Sequence, residues 1–139
     1  MRHPLGMVER LRRAVETHDL DGLVDCVATA FRNETPAHPA RGFSGREQVR
    51  ENWSRIFDGV PDVTADVLRT AVDGDVVWSE WEIRGMRRDG APHLMRGVIL
   101  FGVKDDRADW ARFYLEPVDT DSDGVHTAIT RLVGERNPA

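Results

Sequence analysis

Residues 73–118 read DGDVVWSEWEIRGMRRDGAPHLMRGVILFGVKDDRADWARFYLEPV, and the fold turns on how this run divides. The triplet DGD at 73–75 has the chemistry of a hairpin turn. After it, Val77, Ser79, Trp81 and Ile83 alternate with Trp78, Glu80, Glu82 and Arg84, which predicts a strand over 76–86. RRDGAP at 87–92 turns the chain again. Residues 93–103 then read as a strand whose GVILFGV segment is apolar on both faces, as a central strand is. KDDR turns into a last strand. There Ala111, Phe113 and Leu115 share one face, and Trp110, Arg112, Tyr114 and Glu116 share the other. Upstream, Val63, Ala65 and Val67 alternate in the same way. Four consecutive strands joined by tight turns predict an antiparallel sheet.

The flanking segments have a different period. Val8, Leu11 and Val15 recur at spacings of four and three, which predicts an amphipathic helix over 5–18. Asp19 or Asp21 can cap a second, short helix carrying Leu20, Leu23, Val24 and Val27. Residues 28–35, ATAFRNET, alternate loosely and stop at Pro36, so they predict a short strand followed by the loop PAHPARGF. SGRE at 44–47 fits a capping box, with Ser44 and Glu47 as the reciprocal pair. The helix it would start carries Val49, Trp53, Ile56 and Phe57 on one side and ends at Gly59 and Pro61. After the polar DTDSDG linker, Val125, Ile129, Leu132 and Val133 suit a final amphipathic helix ending near Gly134. Segregated helices and strands predict an α+β fold, in one domain spanning residues 1–139.

Composition removes several classes of function. The 19 basic residues are interspersed among 24 acidic ones for a net charge of −5, with no basic stripe for nucleic acid or for an acidic membrane surface. Cys26 is the only cysteine, so an intramolecular disulfide and a cysteine-based zinc site are impossible, and its apolar neighbours make it a core residue. No two of His3, His18, His38, His93 and His126 stand at metal-ligand spacing, so no metal is expected. His18 ends the first helix, where its ring suits the C-terminal dipole. No glycine-rich phosphate loop occurs. The N-terminus has no apolar core of a signal peptide, and no apolar run approaches the roughly 20 residues of a membrane span. A cytoplasmic location is the default expectation.

Several stretches together resemble the nuclear transport factor 2-like superfamily in its SnoaL-like branch. HDLDGLVDCVA (18–28) is similar to the family's helix junction, and AFRNETP (30–36) to its first strand. FSGREQVRENWSRIF (43–57) is similar to its third helix, and residues 73–85 and 95–118 to its paired strands. The resemblance covers about residues 5–118. It implies a curved antiparallel sheet wrapped round the N-terminal helices, a cone-shaped, cystatin-like α+β barrel with a pocket at its wide end. It also implies a frequent homodimer. The superfamily includes ketosteroid isomerases, polyketide cyclases, epoxide hydrolases, dehydratases and non-catalytic binders, so function has to come from the site.

The isomerase pattern can be carried over residue by residue. The resemblance puts its catalytic Asp where Thr35 stands, with Glu34 one place away on the opposite face of the strand. Its oxyanion-hole Tyr falls near Leu11 and its oxyanion-hole Asp near Ile99, and neither residue can donate the hydrogen bond a dienolate needs. Ketosteroid isomerase chemistry is therefore not expected. Glu80, Arg112 and Glu116 have the residue types of an epoxide hydrolase site without its spacing.

Two arrangements of the last strands follow. In one, Arg112 sits in a polar pocket between Glu80 and Glu116, with Tyr114 as a proton or hydrogen-bond donor and a carboxylate as base. In the other, which the continuous apolar set on the opposite face favours, that aromatic and charged face is the back of the sheet and a second subunit covers it. The pocket is then lined by Trp81, Ile99, Phe101, Phe113 and Leu115, with polar groups from Asn33, Thr35 and His38. This reading predicts a small, mainly apolar ligand. It is compatible with a cofactor-free isomerase, cyclase or hydratase/hydrolase of a polyketide- or terpenoid-like substrate. The alternative is a non-catalytic binding or assembly module whose cone is filled.

Overall fold

The structure, a computed structural model, describes residues 3–135. The chain runs α1 (Leu5–Glu16), α2 (Leu20–Asp25), β1 (Val27–Glu34), a 3₁₀ turn (Pro39–Arg41), β2 (Phe43–Ser44), α3 (Arg46–Gly59), β3 (Thr64–Asp73), β4 (Val76–Met86), β5 (Pro92–Lys104), β6 (Arg107–Pro117) and α4 (Val125–Val133). It is an α+β fold with one curved, six-stranded sheet in the order β2-β1-β6-β5-β4-β3.

Strands β3 to β6 form an antiparallel meander, each paired with its successor. The alternation along β4 sorts the faces: Val77, Ser79, Trp81 and Ile83 are buried while Trp78 is half exposed. β5 lies between β4 and β6, and this accounts for its two apolar faces. Ile99 and Phe101 point into the core. Leu100 on the back is buried too, with Trp78 and Arg112 as its cross-strand neighbours.

The pairing of β1 has no counterpart in the local pattern. β1 runs parallel to β6, with Asn33 opposite Ala111 and Glu34 opposite Arg112, so the first strand enters the sheet beside the last. Two-residue β2 adds antiparallel to β1 through Arg32–Ser44 and Asn33–Phe43.

Irregularities in the ladders bend the sheet. The register shifts between Val67 and Arg69 in β3 and between Gly102 and Val103 in β5. Gly97, in mid-β5, has φ +149°, and a Cβ there would lie 2.0 Å from the Tyr114 carbonyl oxygen. Only glycine permits so close an approach of β5 to β6.

α1 lays Met7, Val8, Leu11, Ala14 and Val15 into the concave face, and α2 adds Leu23 and Val24. The Asp19 side chain caps α2 by accepting from Gly22 N at 3.0 Å. His18 has φ 54° at the α1–α2 junction, its ring nitrogen Nε2 is 2.9 Å from the Val63 carbonyl, and the ring stacks on Phe57 at 4.9 Å. It ties the helix junction to the start of β3. Cys26 is buried, and burial raises its thiol pKa.

The expected SGRE capping box does not form. Gly45, at φ +95°, is the N-cap of α3, with no side-chain cap bond, and its N–H donates to the Phe31 carbonyl at 2.6 Å. Pairing of β2 with β1 takes Ser44 into the sheet and moves the helix start downstream. α4 forms over Val125–Val133, but its apolar residues stay exposed, Val125 by 80% and Leu132 by 79%.

Candidate functional site

The concave side of the sheet and the helices against it leave a cavity of about 310 Å³. Its deep part is apolar. Trp81, Ile99 and Phe101 form a wall that is almost fully buried. The Trp81 indole N–H is satisfied internally: it donates to Ser79 Oγ at 2.8 Å, and Ser79 Oγ donates to the Ile99 carbonyl at 2.7 Å. That relay lets polar atoms lie inside a core without an orphan. Phe113 and Leu115, on the inward face of β6, and Trp53 and Ile56 of α3 continue the lining outward, where side chains are only partly buried.

Polar groups gather toward that outer part. Asn33 and Thr35 occupy successive inward positions at the end of β1, are 7% and 9% exposed, and line the cavity. Among the described residues neither side chain has a hydrogen-bond partner, in contrast with Ser79. Asn52 on α3, its Oδ1 taken by Gln48 Nε2 at 2.8 Å, also faces the cavity. His93 lies at the start of β5, and burial, then the charge of Arg87, lowers its pKa below the ordinary histidine value. Arg41 stands on the 3₁₀ turn at the edge. Among the described residues no carboxylate lines the cavity.

Several side chains singled out from the sequence lie elsewhere. Arg112, Tyr114, Glu116 and Glu80 are absent from the cavity wall. Arg112 does not sit between Glu80 and Glu116. Its Nε donates to Glu34 Oε2 at 2.8 Å, and its guanidinium lies 5.4 Å from the Trp110 ring centroid. The parallel register of β1 and β6 places Glu34 opposite Arg112, and that hydrogen bond lowers the Glu34 pKa. Glu80 is two strands away, 3.9 Å from Arg69 Nε. Tyr114 is exposed on the back of the sheet. His38 is not on the wall either: its Nε2 lies 2.9 Å from Glu116 Oε1. The contact is not aligned as a hydrogen bond, and Oε1 is buried without a donor.

The sequence reading passed over Asn52, His93 and Arg41. Two of these had a signal. His93 has the inward parity of Met95, Ile99 and Phe101, and Asn52 lies one helical step from Val49 and Ile56. Arg41 had none, because its position depends on how the loop after β1 folds. That turn is pinned by backbone bonds from His38 N to the Thr35 carbonyl (2.8 Å) and from Arg41 N to the His38 carbonyl (2.9 Å).

Among the described residues no cluster of three or more His, Cys, Asp or Glu side chains could hold a metal ion, and no helix is long and apolar enough to cross a membrane.

Solved structures share the architecture. IdmH from Streptomyces antibioticus, a candidate polyketide cyclase, matches with a TM-score of 0.71 at 22% identity, over 83% of this chain and 93% of that one. RV0760c from Mycobacterium tuberculosis, solved with estradiol-17β-hemisuccinate, matches at 0.70 and 19% identity, over 81% and 94%. An LEH-like epoxide hydrolase of M. tuberculosis matches at 0.70 and 18% identity, over 81% and 82%. At these identities the likeness is one of fold. No curated protein matches the sequence. The model of the SnoaL-like domain matches residues 8–113, and the chain therefore belongs to the SnoaL-like family of the nuclear transport factor 2-like superfamily.

Proposed function

We propose that the cavity binds one small, mainly apolar molecule, and that the chain acts on it by acid–base chemistry without a cofactor, as an isomerase, cyclase or hydratase/hydrolase of a polyketide- or terpenoid-like substrate. The observation that carries the reading is the pair Asn33 and Thr35. Both are more than nine-tenths buried on a cavity wall with no protein partner. Their polar atoms open to the cavity, and a guest can take up those donors and acceptors in hydrogen bonds worth on the order of 0.5–1.5 kcal/mol each. The binding of a steroid ester by RV0760c, of the same fold, supports a guest of this kind.

The wall limits the chemistry. Thr35, Leu11 and Ile99 stand where an isomerase of this superfamily resembling the chain would have its acid and base groups, and none of them titrates near neutral pH. Among the described residues the wall has no carboxylate, and in this reading His93 is the proton acceptor. Burial keeps its imidazole neutral at pH 7, the form that takes a proton. The missing carboxylate also favours a second reading, a binder without turnover. The filled cone attached to that reading is opposed by the open 310 Å³.

The back of the sheet supports a homodimer. Trp78 and Tyr114 are 49% and 45% exposed there, beside the paired charges of Arg112 and Glu34. A second copy would cover this aromatic surface.

The test is a fluorescence titration with the neutral apolar probe anthracene-2-carboxamide. Saturable binding is expected in the wild type. Ile99→Trp, which fills the deep wall, and Met95→Trp, nearer the opening, should each weaken binding by roughly tenfold or more with a cooperative melt retained. No saturable binding, or binding indifferent to both substitutions, sinks the reading.

A further inference from the structure

The cavity has a polarity gradient, and its sign is one-sided. From Phe101 through Ile99 and Met95 to His93, β5 passes from buried apolar side chains to partly exposed ones and a polar end. β1 runs the same way, from Val27 and Phe31 to Asn33 and Thr35. The 3₁₀ turn that follows adds Arg41. Among the described residues the permanent charge on the wall is thus one guanidinium, with no carboxylate to balance it.

Arg41 shares with Arg55 and Lys104 the lack of an ion pair or side-chain hydrogen bond among the described residues, and of these three it is the one on this cavity wall. Arg12, Arg50, Arg84, Arg96, Arg107 and Arg112 each lie within 2.9 Å of a carboxylate oxygen. Acidic side chains outnumber basic ones in this chain, so a partner is readily found. Arg41, on a turn fixed by backbone hydrogen bonds and by Pro39, has no ion pair or side-chain hydrogen bond among the described residues. Its neighbours on the wall are donors as well: the Asn33 amide and the Thr35 hydroxyl each carry an unspent N–H or O–H.

We propose that the guest is an organic acid, an apolar body seated against Trp81, Ile99 and Phe101 with a terminal carboxylate at the outer end, held by Arg41 and by the Asn33 and Thr35 donors. This rests on the reading of the cavity as a binding site. A cationic guest would meet Arg41 with no counter-charge on the wall, and a neutral one would leave the guanidinium to water. A carboxylate accepts from all three groups and forms the charge-assisted bonds that guanidinium geometry favours. Arg41 is exposed, so the gain is greatest at low salt and shrinks as screening rises.

The experiment compares anthracene-2-carboxylate with anthracene-2-carboxamide, which differ in charge but little in shape. At low ionic strength the wild type should bind the carboxylate about tenfold more tightly. Arg41→Gln should bring the two within about twofold by weakening the carboxylate alone, and Arg41→Lys should keep part of the preference. Being exposed, position 41 should tolerate both changes. Equal affinities in the wild type, or a preference that survives Arg41→Gln, overturn the inference. If the carboxamide still binds in a manner sensitive to Ile99→Trp, the cavity reading stands and the organic acid falls. If neither probe binds, both fall.

Discussion

The two faces of the same strands treat polar side chains in opposite ways. On the back, charges are matched across the ladder: Arg84 reaches Asp66, Arg96 reaches Glu82, and Arg112 reaches Glu34, each at 2.8 Å. Neighbouring strands bring such side chains within reach, and water covers what remains, so each pair contributes little to stability. On the concave side the polar groups are few and divide into two kinds. Ser79 is fully used, relaying the Trp81 N–H to a backbone carbonyl. Asn33 and Thr35, one face over from Glu34, have no partner among the described residues. The difference teaches how to separate structure from function in this fold. A polar group with a protein partner is explained by folding, and one that faces the cavity without a partner is free to meet a guest.

The sharpest way to break that comparison is to remove the satisfied group. Ser79→Ala should cost about 1–3 kcal/mol in chemical denaturation, because it strands the buried Trp81 N–H. A cost near zero would mean that the relay does not hold the wall. Asn33→Leu should behave in the opposite sense. Stability should stay within about 1 kcal/mol of wild type, since the amide opens to the cavity and gives up no protein partner, while affinity for anthracene-2-carboxylate falls. Paired denaturation and titration measure both, and a loss of stability matching that of Ser79→Ala would erase the distinction between the two kinds of group. The smallest effect on the fold belongs to the back. Arg112→Ala should leave the melting temperature of the isolated chain close to wild type, because the Glu34 pair is solvated, yet weaken the proposed dimer in sedimentation velocity. An unchanged dimer together with lost probe binding would move Arg112 from the back of the sheet to the site.

Helices show a second contrast. α1 and α4 both carry apolar stripes that the sequence makes plain, but α1 buries its stripe in the sheet and α4 leaves Val125, Leu132 and Val133 in the open. Periodicity specifies that a helix will be amphipathic. It does not specify what the apolar side will meet.

What the sequence by itself determined is therefore local and periodic. Alternation with period two set strands β3 to β6 and their turns and sorted each strand into two faces, favouring the apolar one as the inward side. Asp19 and Asp21 marked the start of α2, and the structure makes Asp19 the cap. The tertiary structure alone decided what depends on contacts between distant residues. The parallel pairing of β1 with β6 joins segments some 80 positions apart, and with it came the Glu34–Arg112 pair in place of the expected Glu80–Arg112–Glu116 group. The antiparallel pairing of β2 with β1 placed Ser44 in a strand and left α3 with Gly45 as its N-cap and no capping box. Together the two pairings brought the loop after β1 over the cavity, with Arg41 on the wall and His38 turned to Glu116. The physical reason is that alternation is enforced residue by residue by backbone geometry. Which strand lies beside which, and which loop overhangs a cavity, is settled only when the whole apolar surface is buried at once.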